Sequence, residues 1–159
     1  MKKILLLSLF MVFPLAAQNV VYSEDVDEFT DVKDFYLFVY SDDHTNYVQR
    51  SLTFACSNNV PMAMVYDDTY TPFRDEVVTF RFDKNTAFSE DFFVYDGNLF
   101  NTTIDTVSKL LNQILSSTSA IARSDESEIL RFSNLSEMRS EVSKFIRSAR
   151  NNPSCDLGL

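Results

Sequence analysis

The 159-residue chain is 45% hydrophobic and 23% charged, with 14 Lys and Arg set against 23 Asp and Glu, a composition that fits one ordinary globular domain. Fifteen Phe and seven Tyr carry too much apolar area for a chain that stays unfolded, and the acidic balance leaves no basic stripe for a nucleic-acid backbone. With only two glycines, the tight backbone of a phosphate or dinucleotide loop cannot be built.

The chain opens as a secretory signal peptide over residues 1 to 17. Lys2 and Lys3 form the positive region, Ile4 to Phe13 the apolar run, and Pro14-Leu15-Ala16-Ala17 a small-residue zone with a cut expected after Ala17. The run is too short for the ~20 residues a spanning helix needs. No Cys sits at the junction, so no lipid anchor is expected and the mature protein should be free of the membrane. Losing Lys2 and Lys3 leaves 12 of the 14 basic residues against 23 acidic ones, a net charge of −11. That charge serves solubility first, and it also leaves a basic protein as the complementary class of partner.

Residues 18 to 34 form an acidic N-terminal segment, either a loose arm or a short edge element. Asp25, Asp27 and Asp31 resemble the start of a calcium loop but lack its central glycine and terminal glutamate, so they read as solvated acids. The remainder, residues 35 to 159, reads as a single α+β domain. Phe35 to Tyr40 is a continuous aromatic and branched strand with both faces partly covered. Tyr47 to Cys56 alternates, with Val48, Leu52, Phe54 and Cys56 on one face and Arg50 interrupting it near an exposed end. Pro61 to Tyr66 is a third strand, whose partner is expected after the loop 67 to 75.

That partner, Glu76 to Asp83, turns Val78, Phe80 and Phe82 inward and Val77, Thr79, Arg81 and Asp83 outward. Phe88 and Phe92 to Tyr95 precede the turn Asp96-Gly97, and Asn98 to Phe100 is a strand stub. The period then becomes helical. Ile104, Val107, Leu110, Leu111, Ile114 and Leu115 predict a helix over 102 to 116, capped by Asn101 or Thr102. Ser119 to Arg123 and Glu128 to Phe132 are short strands. A second helix follows on the stripe Leu135, Met138, Val142, Phe145, Ile146 and Ala149, with Asn134 and Glu137 at capping-box spacing, and Asn151-Asn152-Pro153 ends it. The expected architecture is an antiparallel sheet or small sandwich covered by two amphipathic helices.

Cys56 and Cys155 are the only cysteines. A zinc site lacks ligands, since His44 is the single histidine, and a redox dithiol lacks close spacing, so a structural disulfide is expected to fasten the C-terminal end to the first half of the chain. Tyr66, Tyr70, Phe73 and Arg74 bring to one loop the residue types that dominate interface energetics, although Phe73 reads equally as a core plug. Arg81 and Asp83 are expected to form a structural ion pair. His44 beside Asp42 and Asp43, with Ser41 or Ser51 as nucleophile, is the one catalytic combination, but no Gly-x-Ser-x-Gly elbow supports it and His44 reads as a surface-turn histidine. Neither a catalytic residue nor a metal or cofactor site is expected.

Several phrases carry a resemblance: Leu52-Thr53-Phe54-Ala55-Cys56, Val78-Thr79-Phe80-Arg81-Phe82-Asp83, Phe132-Ser133-Asn134-Leu135-Ser136-Glu137-Met138 and the closing Cys155. Over residues 47 to 155 the chain resembles small exported bacterial and phage proteins that include the VasI-like proteins associated with type VI secretion. The resemblance implies an exported fold of this kind and transfers no catalytic residue. The function expected is that of a non-enzymatic periplasmic accessory protein acting through protein contacts. Two alternatives stand beside it: an inhibitor of a basic cell-wall hydrolase such as lysozyme, suggested by the acidic charge, and a phage-encoded superinfection-exclusion protein.

Overall fold

The computed structural model describes residues 19–26, 28, 32–45, 48–66, 76–95, 98–124 and 129–159, with backbone alone at 44, 45, 48 and 49. The signal segment and the loop residues Tyr70, Phe73 and Arg74 lie outside the described residues. The strands are β1 Val20–Val26, β2 Lys33–Thr45, β3 Val48–Ser57, β4 Val60–Tyr66, β5 Glu76–Phe82, β6 Phe88–Tyr95, β7 Asn98–Asn101, β8 Ala120–Ser124 and β9 Leu130–Phe132. The helices are α1 Ile104–Ser116 and α2 Arg139–Arg150, the latter entered through a 3-10 turn at Leu135–Met138.

All nine strands join one antiparallel sheet in the order β1-β2-β3-β4-β7-β6-β5-β8-β9. Part of the acidic N-terminal segment is therefore the edge strand β1, paired along its length with β2. The described residues are mostly β, with two helices on one face of a single sheet. The strand after the 67 to 75 loop is not the partner of β4. The β6–β7 hairpin inserts between them, so β4 pairs with β7 while β5 pairs with β6 and β8.

Period-two alternation places Phe35, Leu37, Val39, Leu52, Phe54, Cys56, Ala63, Val65, Val78, Phe80 and Phe82 on the face that the helices cover, where all are buried. α1 contributes Val107, Leu110, Leu111 and Ile114, and α2 contributes Val142, Phe145 and Ala149. Ile104, expected in that stripe, is 44% exposed at the first turn. Phe145 sits at the centre of the joint, its ring edge-on to Phe35 at 5.5 Å and tilted against Phe54 at 6.4 Å. Arg50, expected near an exposed end, is instead buried among this face's residues.

The ends of the sheet approach one another. β9 lies against the second half of β2, where the Asp43 carboxylate accepts the Arg131 backbone N–H at 3.0 Å and the Asp42 carboxylate accepts the Ser133 hydroxyl at 3.0 Å. Both acids that precede His44 in the sequence thus hold the sheet in its curl. α1 is fastened to β6 through Glu90, which accepts hydrogen bonds from Thr106 at 2.9 Å and Lys109 at 2.6 Å.

Helix entries differ from the sequence reading. Asn134 has φ of 55° and makes no side-chain cap, so it turns the chain rather than closing a capping box. At α1 the N-cap is Thr103, whose N–H is taken by the Asn101 side chain at 2.8 Å. Cys56 and Cys155 form the disulfide, with Cα atoms 6.0 Å apart, joining β3 to the tail beyond α2. No helix among the described residues is long and apolar enough to cross a membrane.

Candidate functional site

The face of the sheet away from the helices carries an unusual side-chain pattern. Register places Val21, Phe38, Thr53, Met64, Phe100 and Phe93 in one row across β1, β2, β3, β4, β7 and β6. Flanking rows hold Tyr36 beside Ala55 and Met62, and Tyr40 beside Ser51 and Tyr66. Along β2 the rings of Tyr36, Phe38 and Tyr40 stack at 6.0 and 6.1 Å. Ser51, Thr53 and Ala55 are small enough to sink between the aromatic and methionine rows, where they are buried. At the far end Phe93 stacks on Phe100 at 5.8 Å and Tyr95 meets the same ring edge-on at 6.1 Å.

These end residues are open to solvent: Phe93 is 42% exposed and Tyr95 66% exposed, with Tyr66 and Val77 exposed nearby in the same sheet. Isolated exposed apolar side chains are ordinary; here half-buried aromatic and methionine side chains adjoin the exposed ones across neighbouring strands. Of the four loop residues expected at an interface, Tyr66 is an exposed part of this face, and the other three lie outside the described residues. Phe93, Tyr95 and Phe100 read from the sequence only as strand residues, not as interface candidates. The available signal was Phe92-Phe93-Val94-Tyr95, an apolar run on a strand whose covered face needs only alternate positions.

The same end of the sheet contains a seam. β6 pairs with β5 as far as Phe92 and with β7 from Phe93 onward, and the Asn101 amide donates to the Asp91 carbonyl at 2.7 Å where the partner changes. A cavity of about 390 Å³ opens there, lined by Glu76, Val77, Asp91, Phe92 and Phe93. Glu76 is 5% exposed, and neither of its carboxylate oxygens has a hydrogen-bond partner among the described residues.

A second cavity of about 460 Å³ lies between β1 and the end of α2, beside the disulfide. The Tyr22 hydroxyl donates to Glu24 and shares a 2.6 Å hydrogen bond with Ser148, while Lys33 stands 3.7 Å from Glu24. Burial first, and then the hydrogen bond to Glu24, push Tyr22 up to about 12. The Tyr22 hydroxyl holds Glu24 below its ordinary range. A phenol that keeps its proton and a weakened carboxylate base cannot activate Ser148 at neutral pH, so the cluster's chemistry is that of a strap between β1 and α2.

Asp83 belongs to neither cavity. Its carboxylate accepts hydrogen bonds from the backbone N–H of Thr118 at 3.0 Å and of Ser119 at 2.9 Å, and from the Thr118 hydroxyl at 2.8 Å. No ion pair joins it to Arg81 among the described residues. The side chain of His44 lies outside the described residues, and its backbone pairs with Gln49. Among the described residues no three His, Cys, Asp or Glu side chains are grouped to hold a metal. No family model matches the chain, nor does any curated protein or any solved structure.

Proposed function

We propose that this is a non-enzymatic exported accessory protein that works in the periplasm by docking on another protein, of the secretion-associated kind its resemblance to VasI-like proteins implies. The observation that carries the reading is the six-strand row that ends in exposed Phe93, with exposed Tyr95 against the half-buried Phe100 ring beside it. Aromatic and methionine side chains on a rigid sheet supply large contact area at small ordering cost, which is the composition of interface cores. A disulfide between residues 99 apart supports a compartment where thiols oxidise.

The double substitution Phe93→Ser and Tyr95→Ala tests this. Tyr95 is 66% and Phe93 42% exposed, and neither belongs to the buried core, so the melting temperature should change little, while capture of a periplasmic partner should fall about tenfold or more, the scale of losing one or two hot-spot side chains. Undiminished capture by the folded variant would remove the docking reading. The net charge of −9, which becomes −11 if the expected signal segment is removed, favours a second reading, inhibition of a basic wall hydrolase. Absence of binding or slowing across a set of lysozymes at low salt would dispose of it.

A further inference from the structure

We infer that the outer surface of β5, β8 and β9 is a docking surface for an acidic stretch of polypeptide, held by a triangle of arginines around Ile121. Register builds the triangle. Arg81 pairs across the sheet with Ile121, and Ile121 pairs with Arg131, so these three stand in one row over three neighbouring strands. Arg123 stands two residues beyond Ile121 on the same face, opposite Thr79, whose hydroxyl shares a 2.9 Å hydrogen bond with that of Ser89. Strand spacing and the two-residue step put Arg123 about 7–8 Å from Arg81 and from Arg131, and the latter two about 10 Å apart. All three arginines are exposed, while Ile121 is half-buried between them.

Arginine is not deprotonated in proteins, so the triangle is a fixed concentration of positive charge. The fold does not neutralise it. Neither Arg81 nor Arg123 has an ion-pair partner among the described residues, in a chain with 23 acidic side chains against 14 basic ones. Two acids beside them are already engaged, Asp83 by Thr118 and Ser119, and Asp43 by the Arg131 backbone N–H and, at 3.5 Å, by its guanidinium. Like charges at neighbouring sheet positions are destabilising, and an incoming anion relieves them. Charge and spacing choose the occupant. With a net charge of −9 the molecule as a whole is repelled by an anionic membrane or a nucleic acid, whose charge extends far beyond the triangle, whereas a short acidic segment meets the arginines inside a screening length of about 10 Å. In an extended chain alternate side chains share a face about 6.7 Å apart, close to the arginine diagonals, so carboxylates two residues apart each meet a guanidinium that takes them through two parallel hydrogen bonds. Ile121 supplies the apolar contact between them. These strands lie outside the aromatic row, so the inference stands without the docking reading above.

The experiment uses the oxidised full-length protein, labelled for amide resonances and titrated at low ionic strength with an acetylated peptide amide of alternating Asp and Ser, eight residues long by design, and with its Asn-for-Asp counterpart. Saturable shifts at Thr79, Ile121, Arg123 and Arg131 are expected with the acidic peptide and not with the Asn peptide, and ~0.2 M salt should weaken the binding about tenfold or more. Arg81→Gln combined with Arg123→Gln should weaken it about tenfold or more while keeping or raising the melting temperature, because mutual repulsion is removed. Should that pair not fold, Arg123→Gln alone carries the same expectation with a smaller loss. Equal shifts with the Asn peptide, or none with either, overturn the proposal. So does sedimentation with phosphatidylglycerol vesicles in the absence of peptide binding, which would make the ligand a membrane, and so does self-association that the two substitutions abolish, which would make it a second copy. Binding that appears only in Asp125→Asn with Glu126→Gln would make this chain's own acids the occupant and would also overturn it. Peptide binding that persists in the Phe93 and Tyr95 variant separates this surface from the docking reading.

Discussion

Asp83 follows the last residue of β5 with φ of 49°, where few side chains are comfortable and Asp is among those that are. Its carboxylate gathers the start of β8, and the hydrogen bonds of Thr118 first and then Ser119 hold it below the ordinary aspartate range. Because the folded state favours the ionised form, that stabilisation is complete above the unfolded titration near ~3.9 and is lost as pH falls through the depressed folded value. Asp83→Asn tolerates the same backbone and should remove this part of the acid dependence, read as a shallower fall of melting temperature with acidification. Tyr22 works in the opposite direction. Its hydroxyl, pushed up to about 12, contributes stability that is present below the unfolded value near ~10 and lost as pH rises toward the folded one. Tyr22→Phe should flatten that alkaline decline and cost about 1 kcal/mol at neutral pH in denaturant titrations. In the sequence Asp83 is visible only as an acid two places from Arg81, and nothing local announces Thr118 and Ser119 as its partners 35 and 36 residues away.

Among the elements, α2 shows where stability is concentrated. Phe145 is 1% exposed and bridges the β2 and β3 rings, so Phe145→Ala should cost about 3–5 kcal/mol, measured by chemical denaturation. The helices were legible because an apolar stripe at 3.6-residue spacing is a local pattern, and Val142, Phe145 and Ala149 are buried as that spacing requires. Strand existence was legible for the same reason: β5 alternates buried and exposed along its whole length. Strand partnership was not. Ladder hydrogen bonds join backbone groups that every non-proline residue carries, so nothing in Pro61 to Tyr66 identifies β7 rather than β5 as its neighbour. The site shared that blindness. Met64, Phe100 and Phe93 are scattered in the sequence and become one row only after the β6–β7 hairpin inserts.

For the whole molecule, the two cysteines were readable by arithmetic, and their bond ties β3 to the tail. On the chain-entropy account, closing a loop of about 100 residues is worth up to ~4.7 kcal/mol, with measured values commonly about 2–4. Reductant should therefore lower the unfolding free energy by an amount of that order, with a steeper denaturant slope because the uncross-linked unfolded chain exposes more surface. The curl of the sheet was beyond reach. In the sequence Asp42 and Asp43 stand only as acids beside a surface-turn histidine, and the folded arrangement alone shows them gripping Ser133 and Arg131 from the opposite end of the sheet.

The bond between Cys56 and Cys155 has a topological corollary. Every peptide link from residue 57 to residue 154 lies inside a covalent ring, so a single cut by a protease anywhere in that stretch yields two termini and still one molecule. Fragments separate only when the sulfur bridge is also broken, so a nicked form would migrate as an intact species until thiol is added.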